Sequence, residues 1–241
     1  EYMERFPSLP WDRQIMAAML SAVDDSVGEI LQEVKQLGIA ETTCSFFTSD
    51  NGPSRESRNW LDGNLDPYYG GISGGLKGHK FSLYEGGIRL PGIIHWPSHI
   101  PGKQVLDAPC ASMDIFPTLL DIAGGDQCNF EIDGINILPY IQRKSNPLER
   151  PIYWEMGNQT AMREGPWKLT INGQLVEHDE PKCPINLANL DEDPGETLNL
   201  INDHPDLTSD LKEKAELWRA KIEKRWELDF AENKQTTVTH L

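Results

Sequence analysis

The spacing of apolar residues predicts a long amphipathic helix near the beginning of the chain. Between Asp12 and Leu37, apolar side chains recur every three or four positions, at Ile15, Met19, Val23, Val27, Ile30, Val34 and Leu37. This spacing is typical of one face of an α-helix, and Gly38 is a natural terminator. The β-prone run 42–48 leads into the turn residues 49–53, so helix, strand and turn together predict an α/β unit.

The middle of the chain predicts the closing elements of a larger sheet. Residues 87–96, with the sequence GIRLPGIIHW, form a β-prone stretch in which Pro91 and Gly92 predict a bend. Residues 113–123 have helical spacing, and Gly124 ends that helix.

A polar stretch with two prolines, residues 142–151, indicates a domain boundary. We therefore assign residues 1–145 to an α/β domain and residues 146–241 to a small α+β subdomain. Strand-like runs separated by turn signals predict an antiparallel sheet in this subdomain, at 152–156, 167–171 and 185–190. Helical spacing over 205–226 predicts the closing helix.

Composition and charge exclude several classes of function. The 241 residues are 38% hydrophobic and 25% charged, as in globular proteins, and no apolar run approaches the roughly 18 to 20 residues that span a bilayer. The formal net charge of −16 repels phosphate backbones and anionic lipid. We therefore expect neither a nucleic acid nor a membrane partner. An anionic substrate would need cations concentrated at its site.

Four cysteines are scattered along the chain, at Cys44, Cys110, Cys128 and Cys183. They lack CxxC or Cys/His spacing, which argues against a zinc or thioredoxin-like site. We expect buried thiols. In an oxidising compartment three disulfide pairings are possible, and the sequence leaves both the pairing and the compartment open.

The adjacent residues Asp50 and Asn51 supply a carboxylate and an amide carbonyl, the hard oxygen ligands that calcium or magnesium prefers. They follow a predicted strand, and ligands of open α/β sheets gather at the carboxyl ends of strands. Taken alone, however, Asp-Asn-Gly is more often a simple turn.

Two lysines, Lys77 and Lys80, stand among glycines in the segment LKGHK, shortly before YEGGIR. Glycine lets backbone approach a ligand closely, and a lysine ammonium suits an oxyanion; the alternative is a solvated basic loop. The preceding loop, residues 55–75, carries Trp60, Tyr68 and Tyr69, and either lines a site or is a plain surface excursion.

The ordered motifs TSDNGP, LKGHK, YEGGIRLPGIIHWP and DIFPTLLDIAGG resemble the sulfatase family, particularly its arylsulfatase-like branch within the alkaline phosphatase superfamily. REGPWKL, NLDEDPGETLNL and the closing helix resemble that family's small C-terminal subdomain, so the likeness covers nearly the whole chain. It implies an α/β fold: part of an alkaline-phosphatase-like sheet domain, followed by a subdomain with an antiparallel sheet and a C-terminal helix. Residues 1–145 would then be the C-terminal part of the catalytic domain.

The resemblance also implies site residues. Asp50 and Asn51 match the aspartate and asparagine of a calcium site, and Lys80 matches the catalytic lysine that contacts the sulfate group. Lys77 occupies a position where the family has a basic residue of less certain role. His79 and Glu85 are expected to be structural.

The implied mechanism uses a formylglycine, whose hydrated form attacks sulfur while calcium and lysine spread the growing oxygen charge. Formylglycine forms from Cys or Ser in a Cys/Ser-x-Pro-x-Arg motif, which this sequence lacks; residues 51–55 match only with Asn51 at the nucleophile position. The family's amino-terminal aspartate pair is absent as well. We therefore expect the C-terminal half of a sulfatase, inactive alone and prone to self-association through an uncovered sheet face.

The function implied for the parent protein is hydrolysis of sulfate esters of carbohydrates or aryl groups, with a sulfated carbohydrate or small molecule as partner. Two alternatives stay open. One is a phosphodiesterase or phosphonate hydrolase of the same superfamily, and the other is a noncatalytic glycan-binding protein that retains the fold.

Overall fold

A computed structural model describes residues 1–54, 71–125, 131–146, 149–181 and 183–230, with backbone only for 229–230. Its helices are α1 (Trp11–Gln36), α2 (Glu85–Ile88), α3 (Ile115–Ile122), α4 (Leu138–Ile141) and α5 (Pro205–Phe230). Its strands are β1 (Ser45–Thr48), β2 (Gly92–His95), β3 (Ile152–Met156), β4 (Gln159–Glu164), β5 (Trp167–Ile171) and β6 (Ile185–Asn189). Short 3₁₀ turns occupy Tyr2–Arg5, Ala40–Thr42 and Ser112–Asp114.

The described residues group into two compact units. Of the described residues, the first unit contains 1–50, 71, 91–125, 131–146 and 149–150, and the second contains 51–54, 72–90, 151–181 and 183–230. The second unit thus joins the Asn51 turn and the two lysines to the C-terminal sheet. The division of the chain at residues 145 and 146 stays a prediction.

The first unit contains α1, the antiparallel pair β1 and β2, α3 and α4. Ser45 pairs with His95 and Thr48 with Gly92. Its buried core consists of Trp96, Ile100, Ile137, Leu138 and Ile141. The predicted helix over 12–37 forms within one residue at each end, yet Ala18 is its only residue classed as buried.

A buried carboxylate organises the start of α3. Asp114 is fully buried, accepts hydrogen bonds from the backbone N–H of Ala111 at 2.7 Å and Ile135 at 2.9 Å, and forms an ion pair with Arg150. A buried charge needs such partners, since leaving it unpaired is costly. The aspartate of the DIFPTLL motif is therefore structural.

The second unit is built on a four-stranded antiparallel sheet in the order β3-β4-β5-β6. Side chains alternate between its faces. One face packs on α5 through a buried core, Met162, Leu169, Leu187, Leu211 and Ala215. The other carries Lys168, Thr170 and Asn186, which are also buried.

The sequence correctly predicted β3 and β5 and placed β6 within one residue, but it missed β4. Gly157 and Gly165, both at φ +58°, stand in the two-residue turns on either side of β4. Such turns favour glycine because they need positive φ. The strand itself, QTAMRE, has few β-branched or aromatic residues, which hid it from pattern analysis.

Two local expectations were wrong. The β-prone stretch 87–96 is divided, because its first residues belong to α2, which the Arg89 N–H closes on the Glu85 carbonyl at 2.7 Å. The cysteines are not buried thiols: Cys110 is exposed and Cys44 and Cys183 are half-buried, all three free, while Cys128 lies outside the described residues.

None of the helices within the described ranges has the length and apolar character needed to cross a bilayer.

Candidate functional site

The turn that follows β1 is held against α2 by its backbone. The Gly52 N–H donates to the Gly87 carbonyl at 2.9 Å, and the Asn51 side-chain N–H donates to the Gly52 carbonyl at 2.8 Å. A Cβ on Gly52 would stand 1.9 Å from the Gly86 oxygen. Only glycine permits this approach, so the glycine of Asp-Asn-Gly has a packing function here.

The segment 77–88 folds into an equally tight loop. The Gly86 N–H donates to the Lys77 carbonyl at 2.7 Å, and a Cβ on Gly86 would lie 2.2 Å from the Gly78 oxygen. Gly78 itself has φ +84°, a conformation that other residues rarely adopt. The glycines of LKGHK and YEGG therefore pack backbone directly on backbone.

Lys80 lies at the corner of a turn in this loop. The Ser82 N–H donates to the His79 carbonyl at 2.9 Å, and Phe81 has φ +72°, an unusual value for a non-glycine residue. The Lys80 N–H donates to the Pro53 carbonyl at 2.9 Å. This hydrogen bond links the backbone of Lys80 to the Asn51-Gly52-Pro53 turn. Asn51 and Lys80 therefore lie on two segments that are hydrogen-bonded to each other.

The ammonium of Lys77 is directed to the C-terminal sheet instead. Its Nζ lies 3.3 Å from the Glu196 carbonyl oxygen, 3.5 Å from Asn186 Oδ1 and 4.0 Å above the centre of the Tyr84 ring. Burial lowers its pKa, partly offset by the Glu196 charge. In contrast, Lys80 is a half-buried residue whose Nζ lies 5.4 Å from the centre of the Phe81 ring.

A buried ionic network lies beneath the loop. Lys168 Nζ, with none of its side chain exposed, contacts Glu85 Oε1 at 2.8 Å and Glu196 Oε1 at 3.4 Å. The other oxygen of Glu196 accepts the Glu85 backbone N–H at 2.6 Å. Glu85 is thus structural, as the sequence predicted. The importance of Lys168 and Glu196 was not predicted from the sequence.

The turn at Asp193-Pro194-Gly195 places Glu196 in this network. The Glu196 N–H donates to the Asp193 carbonyl at 3.0 Å, and the Asp193 carboxylate accepts the Leu198 N–H at 2.9 Å. Proline and glycine favour such a turn at these positions. Glu196 then adopts φ +50° and its side chain is fully buried.

The ionisation of Glu196 yields a prediction. Burial raises its pKa, although Lys168 opposes the shift, and the neighbouring Glu85 charge adds to it. A carboxyl whose pKa is higher in the folded protein stabilises the fold below its unfolded pKa, and this contribution is lost as pH rises through the folded value. Between about pH 5 and about pH 8, the free energy of unfolding of wild type should therefore fall more than that of Glu196→Gln. Urea unfolding across this pH range measures the free energy of unfolding of both proteins. Parallel plots of that free energy against pH would contradict the raised pKa of Glu196.

The packing of Gly86 yields another prediction. A methyl group there collides with two backbone oxygens, at 2.2 and 2.6 Å, which move only if the loop moves. Gly86→Ala should therefore lower the free energy of unfolding by about 1–3 kcal/mol. Gly102→Ala is the matched control, because no heavy atom lies within 4 Å of its added Cβ. Equal denaturation midpoints for the two variants would refute the packing argument.

The two residues predicted to bind calcium have side chains of the right chemistry, but they supply only part of the ligands that a calcium site needs. Asp50, exposed in the first unit, and Asn51, half-buried in the second, are consecutive hard-oxygen donors. Calcium takes about 6–8 oxygen ligands. Within the described ranges, no group of three or more His, Cys, Asp or Glu side chains is arranged to hold a metal ion. Trp60, Tyr68 and Tyr69, considered for a site loop, lie outside those ranges.

Two family models match this chain. A family model described as Sulfatase matches residues 12–125, and one described as N-sulphoglucosamine sulphohydrolase, C-terminal, matches residues 78–221. The second match covers more than half of the chain and includes Lys80, Glu85, Lys168 and Glu196, while Lys77 precedes it by one residue. The chain belongs to the sulfatase family.

Individual relatives are similar over most of the chain. Human arylsulfatase A is 32% identical over 205 residues, covering 76% of this chain and 38% of that protein. N-acetylgalactosamine-6-sulfatase of Rattus norvegicus is 39% identical over 184 residues, covering 76% and 32%. The crystal structure of Ps i-CgsB in complex with k-i-k-neocarrahexaose has a TM-score of 0.73 and 29% identity, covering 90% of this chain and 45% of that one. The α/β fold class is confirmed, and the chain spans less than half the length of each of these proteins.

Proposed function

We propose that this chain forms part of a sulfuric ester hydrolase, in which Lys80 contacts the sulfate group and Asp50 and Asn51 ligate calcium. The observation that carries the proposal is the hydrogen bond from the Lys80 N–H to the Pro53 carbonyl. It joins the lysine loop to the Asp-Asn-Gly-Pro turn in a member of the sulfatase family. Lys77 is the weaker candidate for sulfate contact, because its ammonium packs against Tyr84 and the Glu196 carbonyl.

The chemistry follows from the charges. Cleavage of a sulfate ester builds negative charge on oxygen, and a fixed ammonium beside those oxygens stabilises the transition state more than the ground state. Bound calcium would supply a Lewis acid and a template for the sulfate oxygens. The nucleophile, proposed to be formylglycine, belongs to a part of the full-length protein other than this sequence, which contains no motif for it.

The proposed substrate is a sulfated carbohydrate. N-acetylgalactosamine-6-sulfatases are among the relatives, and one matched structure holds k-i-k-neocarrahexaose. An aryl or steryl sulfate is the second possibility, because arylsulfatase A and steryl-sulfatase also match.

The test is ester hydrolysis by the full-length protein, measured as inorganic sulfate from sulfate esters and as the released alcohol from phosphorus esters. Sulfated N-acetylgalactosamine, an aryl sulfate, a phosphodiester and a phosphonate monoester should be compared under identical conditions with and without a calcium chelator. We expect chelator-sensitive hydrolysis of a sulfate ester. Preference for a phosphorus ester would favour the related hydrolases, and glycan binding without hydrolysis or chelator effect would favour a noncatalytic protein.

A further inference from the structure

We propose that Lys168 and Glu196, both on the C-terminal part of the chain, are positioning residues for Lys80. The inference rests on the proposed function, since it concerns how the sulfate-contacting lysine is held. It assigns the small sheet a part in the geometry of the site.

The first step is the attachment of Glu85 to the sheet. Its carboxylate accepts a hydrogen bond from the Lys168 ammonium at 2.8 Å, and its backbone N–H donates to the Glu196 carboxylate at 2.6 Å. The side chain and the backbone of Glu85 are thus both bound to the C-terminal segment. All three side chains are at most 4% exposed, so water screens these contacts little.

The second step leads from Glu85 to the site. Glu85 begins α2, and its neighbours Gly86 and Gly87 pack backbone on backbone against the rest of the loop. The Gly87 carbonyl accepts the Gly52 N–H, and the Gly86 N–H donates to the Lys77 carbonyl. A shift of Glu85 should therefore move two backbone segments, the one at Lys77, which precedes Lys80 in the loop, and the one at Gly52, next to the Pro53 that accepts the Lys80 N–H.

The third step is energetic. Replacing a buried ionic cluster with neutral groups of similar size is often neutral or stabilising, so such a cluster is weak evidence for stability. Here one lysine faces two carboxylates, and burial raises the Glu196 pKa. These features fit a role in fixing one conformation of the loop better than a role in holding the unit together.

The test separates positioning from folding. Lys168→Met alone removes the buried cation from Glu196 and leaves Glu85 paired with the largely exposed Arg89 at 3.7 Å, and this variant would unfold for that reason. The informative variant combines Lys168→Met, Glu85→Gln and Glu196→Gln, which removes all three charges at similar volume. Lys212→Met is the control, because Lys212 forms an exposed i,i+4 pair with Glu216 in the same unit.

Two readouts are measured on the full-length protein. In hydrogen exchange, the triple variant should lose protection at the amides of Gly52, Lys80 and Gly86 while β4 and α5 keep theirs. In steady-state kinetics, kcat should fall by about 10- to 100-fold with a smaller change in KM, since small displacements of a catalytic group have effects of this size.

The outcomes are distinguishable. Unchanged exchange at the three amides would overturn the positioning role whatever the activity. Lost protection together with undiminished kcat would also overturn it. If wild type hydrolyses no sulfate ester, the proposed function fails, and exchange still decides whether the network holds the loop.

Discussion

Lys80→Ala in the full-length protein should lower kcat/KM for a sulfate ester by about 10²–10³-fold, the usual cost of losing one preorganised group at a developing oxyanion. The backbone N–H of Lys80 donates a hydrogen bond to the Pro53 carbonyl, and this bond does not depend on the side chain at position 80. The loop should therefore keep its conformation in the variant. The loss should therefore appear in kcat more than in KM. Initial-rate kinetics on the purified variant measure both.

Lys77→Ala is the matched control for that result. Its ammonium contacts the Glu196 carbonyl and the Tyr84 ring, so its removal should affect packing more than turnover. We expect less than about a tenfold loss, below the usual cost of a missing oxyanion donor. Equal, small effects of the two substitutions would show that the sulfate-contacting lysine was assigned wrongly.

Asp50→Ala should weaken calcium binding by at least about tenfold, or about 1.4 kcal/mol, because a hard cation loses a charged oxygen ligand. Isothermal titration calorimetry of the full-length protein measures this without reference to activity. Asp107→Ala is the charge-matched control, since Asp107 is also exposed and also belongs to the first unit. Unchanged affinity in Asp50→Ala would refute its assignment as a ligand.

Elements with a simple burial pattern could be predicted from the sequence. The periodicity of α1 gave its bounds within one residue, and β3 and β5 were placed correctly. These segments have regular apolar spacing or β-prone composition. The helical turn α2 could not be predicted, because two of its four residues are glycine, which disfavours a helix locally. In the structure Gly86 and Gly87 lie in close contact with neighbouring backbone.

The ionic network shows a second limit. In WKLTI, Lys168 alternates with Trp167 and Leu169, a pattern typical of a strand with one face in water. In the structure the loop 77–88 covers that second face, and Lys168 becomes fully buried. Its partner Glu85 is 83 residues away in sequence. No local pattern could have linked them.

The candidate site shows what a motif does and does not reveal. The order of DNG, LKGHK and YEGG indicated the residues, and the structure shows why their glycines are needed, through contacts such as that of Gly52 with Gly86. The family resemblance ranked Lys80 above Lys77, and the structure adds the direction of the Lys77 ammonium, which depends on tertiary packing. The calcium ligands stay a prediction.

The most direct measurement is a crystal structure of the full-length protein with calcium and a sulfated carbohydrate. We predict a sulfate oxygen within hydrogen-bond distance of Lys80 Nζ, about 2.7–3.2 Å. We also predict calcium about 2.3–2.6 Å from oxygens of Asp50 and Asn51. A sulfate group bound at Lys77, or bound without contact to either the Asp-Asn turn or Lys80, would contradict the assignment of these residues.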